Sequence, residues 1–137
     1  MFFVFTAFAF LLVSVADESF KSPLSKEGMK ALWELSKDCH KGLIRYPEFV
    51  NKSLEWINSP RDTPNAAVKI RSKVCVPKTM PEYDAIMSFF KGQFDRRRQK
   101  INSLGPGALF GCNGIVNNRR ETKKCITVAC LFRKKIR

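Results

Sequence analysis

Apolar residues crowd the start of the chain. Phe2, Phe3, Val4, Phe5, Phe8, Phe10, Leu11, Leu12, Val13 and Val15 form an uncharged run that ends in Ser14-Val15-Ala16. Small residues at the last and third-last positions of such a run predict a secretory signal peptide over residues 1–16, cleaved before Asp17. The positive end is supplied by the α-amino group alone, since no Lys or Arg follows Met1 directly. The run is shorter than the roughly 18 residues that span a bilayer, so no integral membrane segment is expected after cleavage.

Beyond the run the spacing becomes helical. Ser25 is placed to cap a helix, and Met29, Leu32, Ser36, Cys39 and Leu43 recur at three- and four-residue intervals, which sets Cys39 on the inward face. Gly28 is an imperfection in the first turn. Pro47 opens a second helix where its missing N–H costs nothing; Phe49, Val50, Leu54 and Ile57 form its apolar side, and Ser59-Pro60 ends it. Thr63-Pro64 repeats the start signal and predicts a third helix over 65–75, with Ala67, Val68, Ile70 and Val74 turned to the core. The longest helix is predicted from about 81 to 103, stopped by Gly105. Tyr83, Met87, Phe90, Phe94, Ile101 and Leu104 form its seam, and Arg97 falls where an apolar residue is expected.

After Gly105-Pro106-Gly107 the period changes to that of strands. Residues 108–116 and 125–132 predict a hairpin, with Gly111 and Gly114 marking a bulge or a close backbone approach. The predicted fold class is α+β: four helices followed by a C-terminal β-hairpin, stabilised by disulfides, in one small secreted domain over 17–137.

Export changes how cysteine is read. Cys39, Cys75, Cys112, Cys125 and Cys130 predict two disulfides and one residual thiol in an oxidising compartment. Placement favours Cys39 with Cys75, and Cys112 with either Cys125 or Cys130. The odd thiol is either buried and inert or the link of a covalent dimer, so the chain is expected as a monomer or a Cys-linked dimer.

The charge balance narrows the partners. The formal net charge is +13, from 25 basic and 12 acidic residues, and a field of that sign favours polyanions. For an exported protein these are acidic glycans or an anionic lipid surface; nucleic acid is not expected as a physiological partner. Arg96, Arg97, Arg98 and Lys100 form one candidate polyanion-binding cluster, and Arg133, Lys134 and Lys135 form a second on the end of the last strand. An arginine on an apolar seam also admits a structural role for Arg97, with its head at the surface or paired to Glu34 or Glu55.

Catalytic and metal chemistry finds little support. His40 is the single histidine, which excludes mechanisms built on a histidine pair and zinc sites built on several. It follows Cys39 directly, and neighbours on a helix point apart, so the two cannot act as nucleophile and base. Glu34 with Asp38, and Glu48 with Glu55, are the carboxylate pairs a hydrolase would need, though lysines stand close enough to pair with them. No phosphate-binding glycine loop or nucleophile elbow is present, and no cofactor is expected. Asn51-Lys52-Ser53 is a glycosylation sequon.

Six blocks carry a family likeness: Ser22-Pro23-Leu24-Ser25, Asp38-Cys39-His40, Tyr46-Pro47-Glu48-Phe49, the stretch from Ser59 to Asn65, the stretch from Gly105 to Gly114, and Ala129-Cys130-Leu131-Phe132-Arg133-Lys134. In them the chain resembles a nematode family of small secreted cysteine-containing proteins of uncharacterised function. The resemblance implies export, a helix-rich fold ending in a hairpin, and no catalytic residues to carry over. It also implies that Cys125, the position least expected in the family pattern, is the odd cysteine. The expected function is therefore a non-enzymatic extracellular binding protein for acidic glycans or other polyanions. The alternatives are a cationic host-defence effector acting on anionic membranes, whose aromatic helix face of Phe89, Phe90 and Phe94 would lie on lipid, and a small secreted hydrolase.

Overall fold

The computed structural model describes residues 21–136; the predicted signal peptide and its cleavage point lie outside the described residues. In chain order the elements are β1 (Lys21–Pro23), α1 (Lys26–Cys39), β2 (Ile44–Arg45), α2 (Pro47–Asn58), β3 (Val68–Pro77), α3 (Glu82–Phe89), α4 (Lys91–Asn102), β4 (Leu109–Asn117) and β5 (Lys123–Arg133). The class is α+β, as expected, with four helices among the described residues, but they are not the expected four, and they lie before and between the strands rather than all ahead of a hairpin.

The sheet runs β1-β4-β5-β3, antiparallel throughout, with the two-residue β2 alongside β4 in parallel. Strand alternation gives it two apolar faces. Phe110, Cys112 and Val116 of β4, Ile126, Val128, Cys130 and Phe132 of β5, and Val68, Ile70 and Val76 of β3 face one way, into a core shared with Leu32, Leu35, Ile86, Phe90, Phe94 and Ile101 of α1, α3 and α4. The opposite face is covered in part by α2. The central strand β5 is consequently buried on both sides from Cys125 to Phe132.

Several boundaries follow local signals. The Ser25 side chain accepts the Gly28 N–H and caps α1, Pro47 sits at the start of α2, and Gly105 with φ +83° stops the chain after α4. Gly28 also has a packing reason: a Cβ there would come within 2.6 Å of Leu24 Cγ. The predicted hairpin is present as β4 and β5.

Two helix expectations are corrected. The segment expected as a third helix, 65–75, is the strand β3. Its β-branched Val68, Ile70, Val74 and Val76 alternate with exposed Lys69, Arg71, Lys73 and Cys75, a period of two that fits a half-buried edge strand. The single long helix is two, because the backbone at Phe90 departs to φ −105°, ψ −11°. Phe90 and Phe94 are both in the core.

The disulfides are Cys75–Cys125 and Cys112–Cys130, so the expected Cys39–Cys75 bond and the odd Cys125 are both corrected. The reason is the register. Cys75 stands directly opposite Cys125 across β3 and β5, and Cys112 opposite Cys130 across β4 and β5, whereas Cys39 is buried on α1 with its thiol 3.7 Å from the Phe94 carbonyl. Each bond staples β5 to one neighbour, on opposite faces of the sheet. Closing sequence separations of 50 and 18, they contribute about 4 and about 3 kcal/mol on the chain-entropy model.

Candidate polyanion-binding surface

The basic residues are distributed unevenly over the fold. β3, β4 and β5 carry Lys69, Arg71, Lys73, Lys123, Lys124 and Arg133 and no Asp or Glu. Alternation along β3 brings Lys69, Arg71 and Lys73 to the face away from the main core, about 7 Å apart in succession. On the same face of β5, Arg133 is two residues beyond Leu131, the partner of Lys69, which makes Arg133 and Lys69 diagonal neighbours.

At the strand end and just past it, Arg133, Lys134 and Lys135 are all exposed. With Asn65, Ala66 and Ala67 they line a cleft of about 370 Å³, held to the sheet by the Ala67 N–H to Phe132 carbonyl bond of 2.9 Å. The tail also passes the turn after α4, where a Cβ on Gly107 would be 3.0 Å from Lys135 Cδ. The sequence-predicted C-terminal cluster is thus a convergent group, continued along β3 by Lys69 and Lys73. Among the described residues, neither lysine takes part in an ion pair. Arg71 is partly committed: its Nη2 donates to the Ile57 carbonyl at 3.3 Å, at the C-terminal end of α2.

The α4 cluster is divided by its own contacts. Arg98 donates to the Asp38 carbonyl and carboxylate, each at 2.7 Å, and to Asp95 at 2.9 Å. Those bonds hold the Asp38 carboxyl below its usual range, while Lys91 first and Arg98 second do the same for Asp95. The pairing raises the pKa of Arg98 itself. Arg97 is half-buried and donates to the carbonyl and side chain of Gln93 at 3.2 and 3.1 Å, rather than to Glu34 or Glu55. Arg96 and Lys100 are left as the exposed members of the group.

Sequence reasoning missed Lys69, Arg71 and Lys73 because it placed them on a helix. The signal was present in the alternation of charged and β-branched residues.

The remaining candidates have structural partners. His40 Nδ1 accepts the Gly42 N–H at 3.0 Å, so Nε2 carries the proton and donates to the Gly105 carbonyl at 2.7 Å; the ring ties the end of α1 to the turn after α4. Glu34 accepts the Tyr83 hydroxyl, and Glu48 accepts the Tyr46 hydroxyl and pairs with Lys52 at 3.2 Å. The Tyr46 bond, followed by Lys52, holds the Glu48 carboxyl low. Asn51 is exposed on α2, while Ser53 of the same sequon is buried and donates to the Gly111 carbonyl at 3.1 Å. Among the described residues no three or more His, Cys, Asp or Glu converge as metal ligands, and no helix is long and apolar enough to cross a membrane.

No curated protein and no solved structure matches the chain. A family model described as 15 kDa excretory/secretory protein matches residues 31–134. This agrees with the likeness read from the sequence blocks, and the match runs from within α1 to Lys134, one residue short of the last lysine of the cleft. Covering well over half of the 137 residues, it shows that the chain belongs to the family of 15 kDa excretory/secretory proteins and that it is secreted.

Proposed function

We propose that this secreted protein is a non-enzymatic extracellular binding protein for acidic glycans or other polyanions. The observation that carries the reading is the convergence of Arg133, Lys134 and Lys135 on one cleft, extended along β3 by Lys69 and Lys73 on a sheet whose long strands hold no acid. A row of exposed cations releases counterions from a polyanion and attracts it at long range. Its dispersion along an edge strand suits an extended chain better than a compact anion. Three of the four carboxylates a hydrolase would use are separately engaged, Glu34 by Tyr83, Asp38 by Arg98 and Glu48 by Tyr46 and Lys52, which leaves Glu55 without its paired acid and supports binding over hydrolysis.

The test is a titration of the oxidised secreted protein with a sulfated glycan and with a neutral polysaccharide of equal length. The reading expects binding to the sulfated chain that weakens steeply with salt. Equal affinity for the two, or affinity independent of ionic strength, would contradict it.

The membrane-active alternative loses much of its apparatus, since Phe90 and Phe94 are core residues and only Phe89, 52% exposed, remains outside. Dye release from anionic but not neutral vesicles at physiological salt would restore that alternative.

A further inference from the structure

The outer edge of β4 has a gap. β2 pairs with it only as far as Phe110, and β1 joins it again at Ile115, with the bonds from Tyr46 N–H to the Phe110 carbonyl at 2.7 Å and from Leu24 N–H to the Gly114 carbonyl at 3.1 Å bracketing the interval. Between them Gly111, Cys112 and Asn113 have no strand on that side among the described residues. α1 lies along the gap and presents Lys26, Met29, Lys30 and Trp33, at helical spacings of three, four and seven, to a cleft of about 380 Å³.

The walls of this cleft are apolar side chains, Met29 and Trp33 of α1 and Val50 of α2, over a floor of Phe110, Gly111 and Cys112 of β4. Trp33 is held against Phe110 with ring centroids 5.3 Å apart, and Lys37 Nζ lies 4.8 Å from the indole centroid. Even so Trp33 is 41% exposed. Lys26, Lys30 and Arg45 rim the space, and none of them belongs to an ion pair among the described residues.

We infer that this cleft binds an amphipathic monoanion of the long-chain fatty acid class. The chain would lie on Met29, Trp33 and Val50, and the carboxylate would meet the Lys30 and Arg45 rim. The apolar walls favour a hydrocarbon chain over a sugar, since hydroxyls set against them would lose water. The rim decides against a neutral lipid, because three cations at the mouth of an apolar cleft complement an anionic head. The site is separate from the Arg133–Lys135 cleft and stands whether or not the protein binds polyanions.

The experiment titrates the oxidised secreted protein with oleate below its micellar concentration, following indole emission and, in parallel, heat. The expected result is saturation near one equivalent, a blue shift of the emission, and no saturable binding of methyl oleate. The Lys30→Gln/Arg45→Gln double variant, altered only at exposed positions, is expected to bind oleate at least about tenfold more weakly. The Lys69→Gln/Lys73→Gln variant is expected to bind as the wild type does. No saturable heat or emission change, equal binding of the ester, or undiminished binding by the Lys30/Arg45 variant would each overturn the assignment.

Discussion

Gly111 lies directly beneath Val50: a Cβ on Gly111 would come within 2.5 Å of the Val50 backbone nitrogen and 2.6 Å of the Phe49 carbonyl carbon. Those are backbone atoms of the first turn of α2, and they cannot rotate away. The glycine therefore sets how closely α2 packs on β4, which fixes the covered part of the second sheet face.

Gly111→Ala is expected to lower stability by about 2–3 kcal/mol, the range for forced overpacking. Gly92→Ala, within α4 and with nothing inside 4 Å of its Cβ position, is expected to raise stability by up to about 1 kcal/mol. Denaturant melts of the two variants check the pair, and equal effects would refute the packing account of Gly111.

The thiol count provides a second check. Intact mass of the native protein should show four hydrogens lost to two disulfides and one thiol remaining. Burial raises the pKa of Cys39, so its thiol stays protonated at neutral pH and is shielded. A maleimide is expected to label it only after denaturation, and peptide mapping should place the label at Cys39. Rapid labelling of the native protein, or a label at Cys125, would contradict the register of β3 on β5.

The α1–α4 connection carries a pH signature. Arg98 lowers the Asp38 carboxyl pKa in the folded state, so the contribution of the pair is present above the ordinary carboxylate value of about 4 and fades as pH falls through the lower folded value. Arg98→Gln should therefore melt below the wild type at pH 7, with the gap closing at acid pH. Both partners are solvent-exposed and the effect is screened, so the difference should also narrow in high salt.

Legibility in the sequence tracked the range of the interaction. Ser25, Pro47 and Gly105 act within one turn of their own position, and the helix ends they mark were read correctly. β3 is not legible locally, because Thr63-Pro64 reads as a helix start while the partner that makes 68–77 a strand, β5, lies some fifty residues further on. The expected Cys39–Cys75 bond falls with it, because once Cys75 is on a strand its neighbour is set by the register and not by proximity to a helix, whereas Cys112–Cys130 is one of the two pairings the sequence left open for Cys112. The break at Phe90 falls within an unbroken apolar seam, and Gly92, two residues on, is the local signal nearest to it. The tail cluster was visible because charge needs no partner to be recognised, whereas its continuation through Lys69 and Lys73 required the sheet.

Under the proposed function, the row from Lys73 through Lys69 to Arg133 and its tail, rather than the α4 cluster, engages polyanions. The most direct measurement is the affinity for heparin as a function of salt, for the wild type, for Lys69→Gln/Lys73→Gln/Lys134→Gln and for Arg96→Gln/Lys100→Gln. The account predicts that the first variant loses about one unit of the log–log salt slope for each contact removed, while the second keeps a slope near that of the wild type. A full slope in the first variant and a reduced one in the second would contradict it.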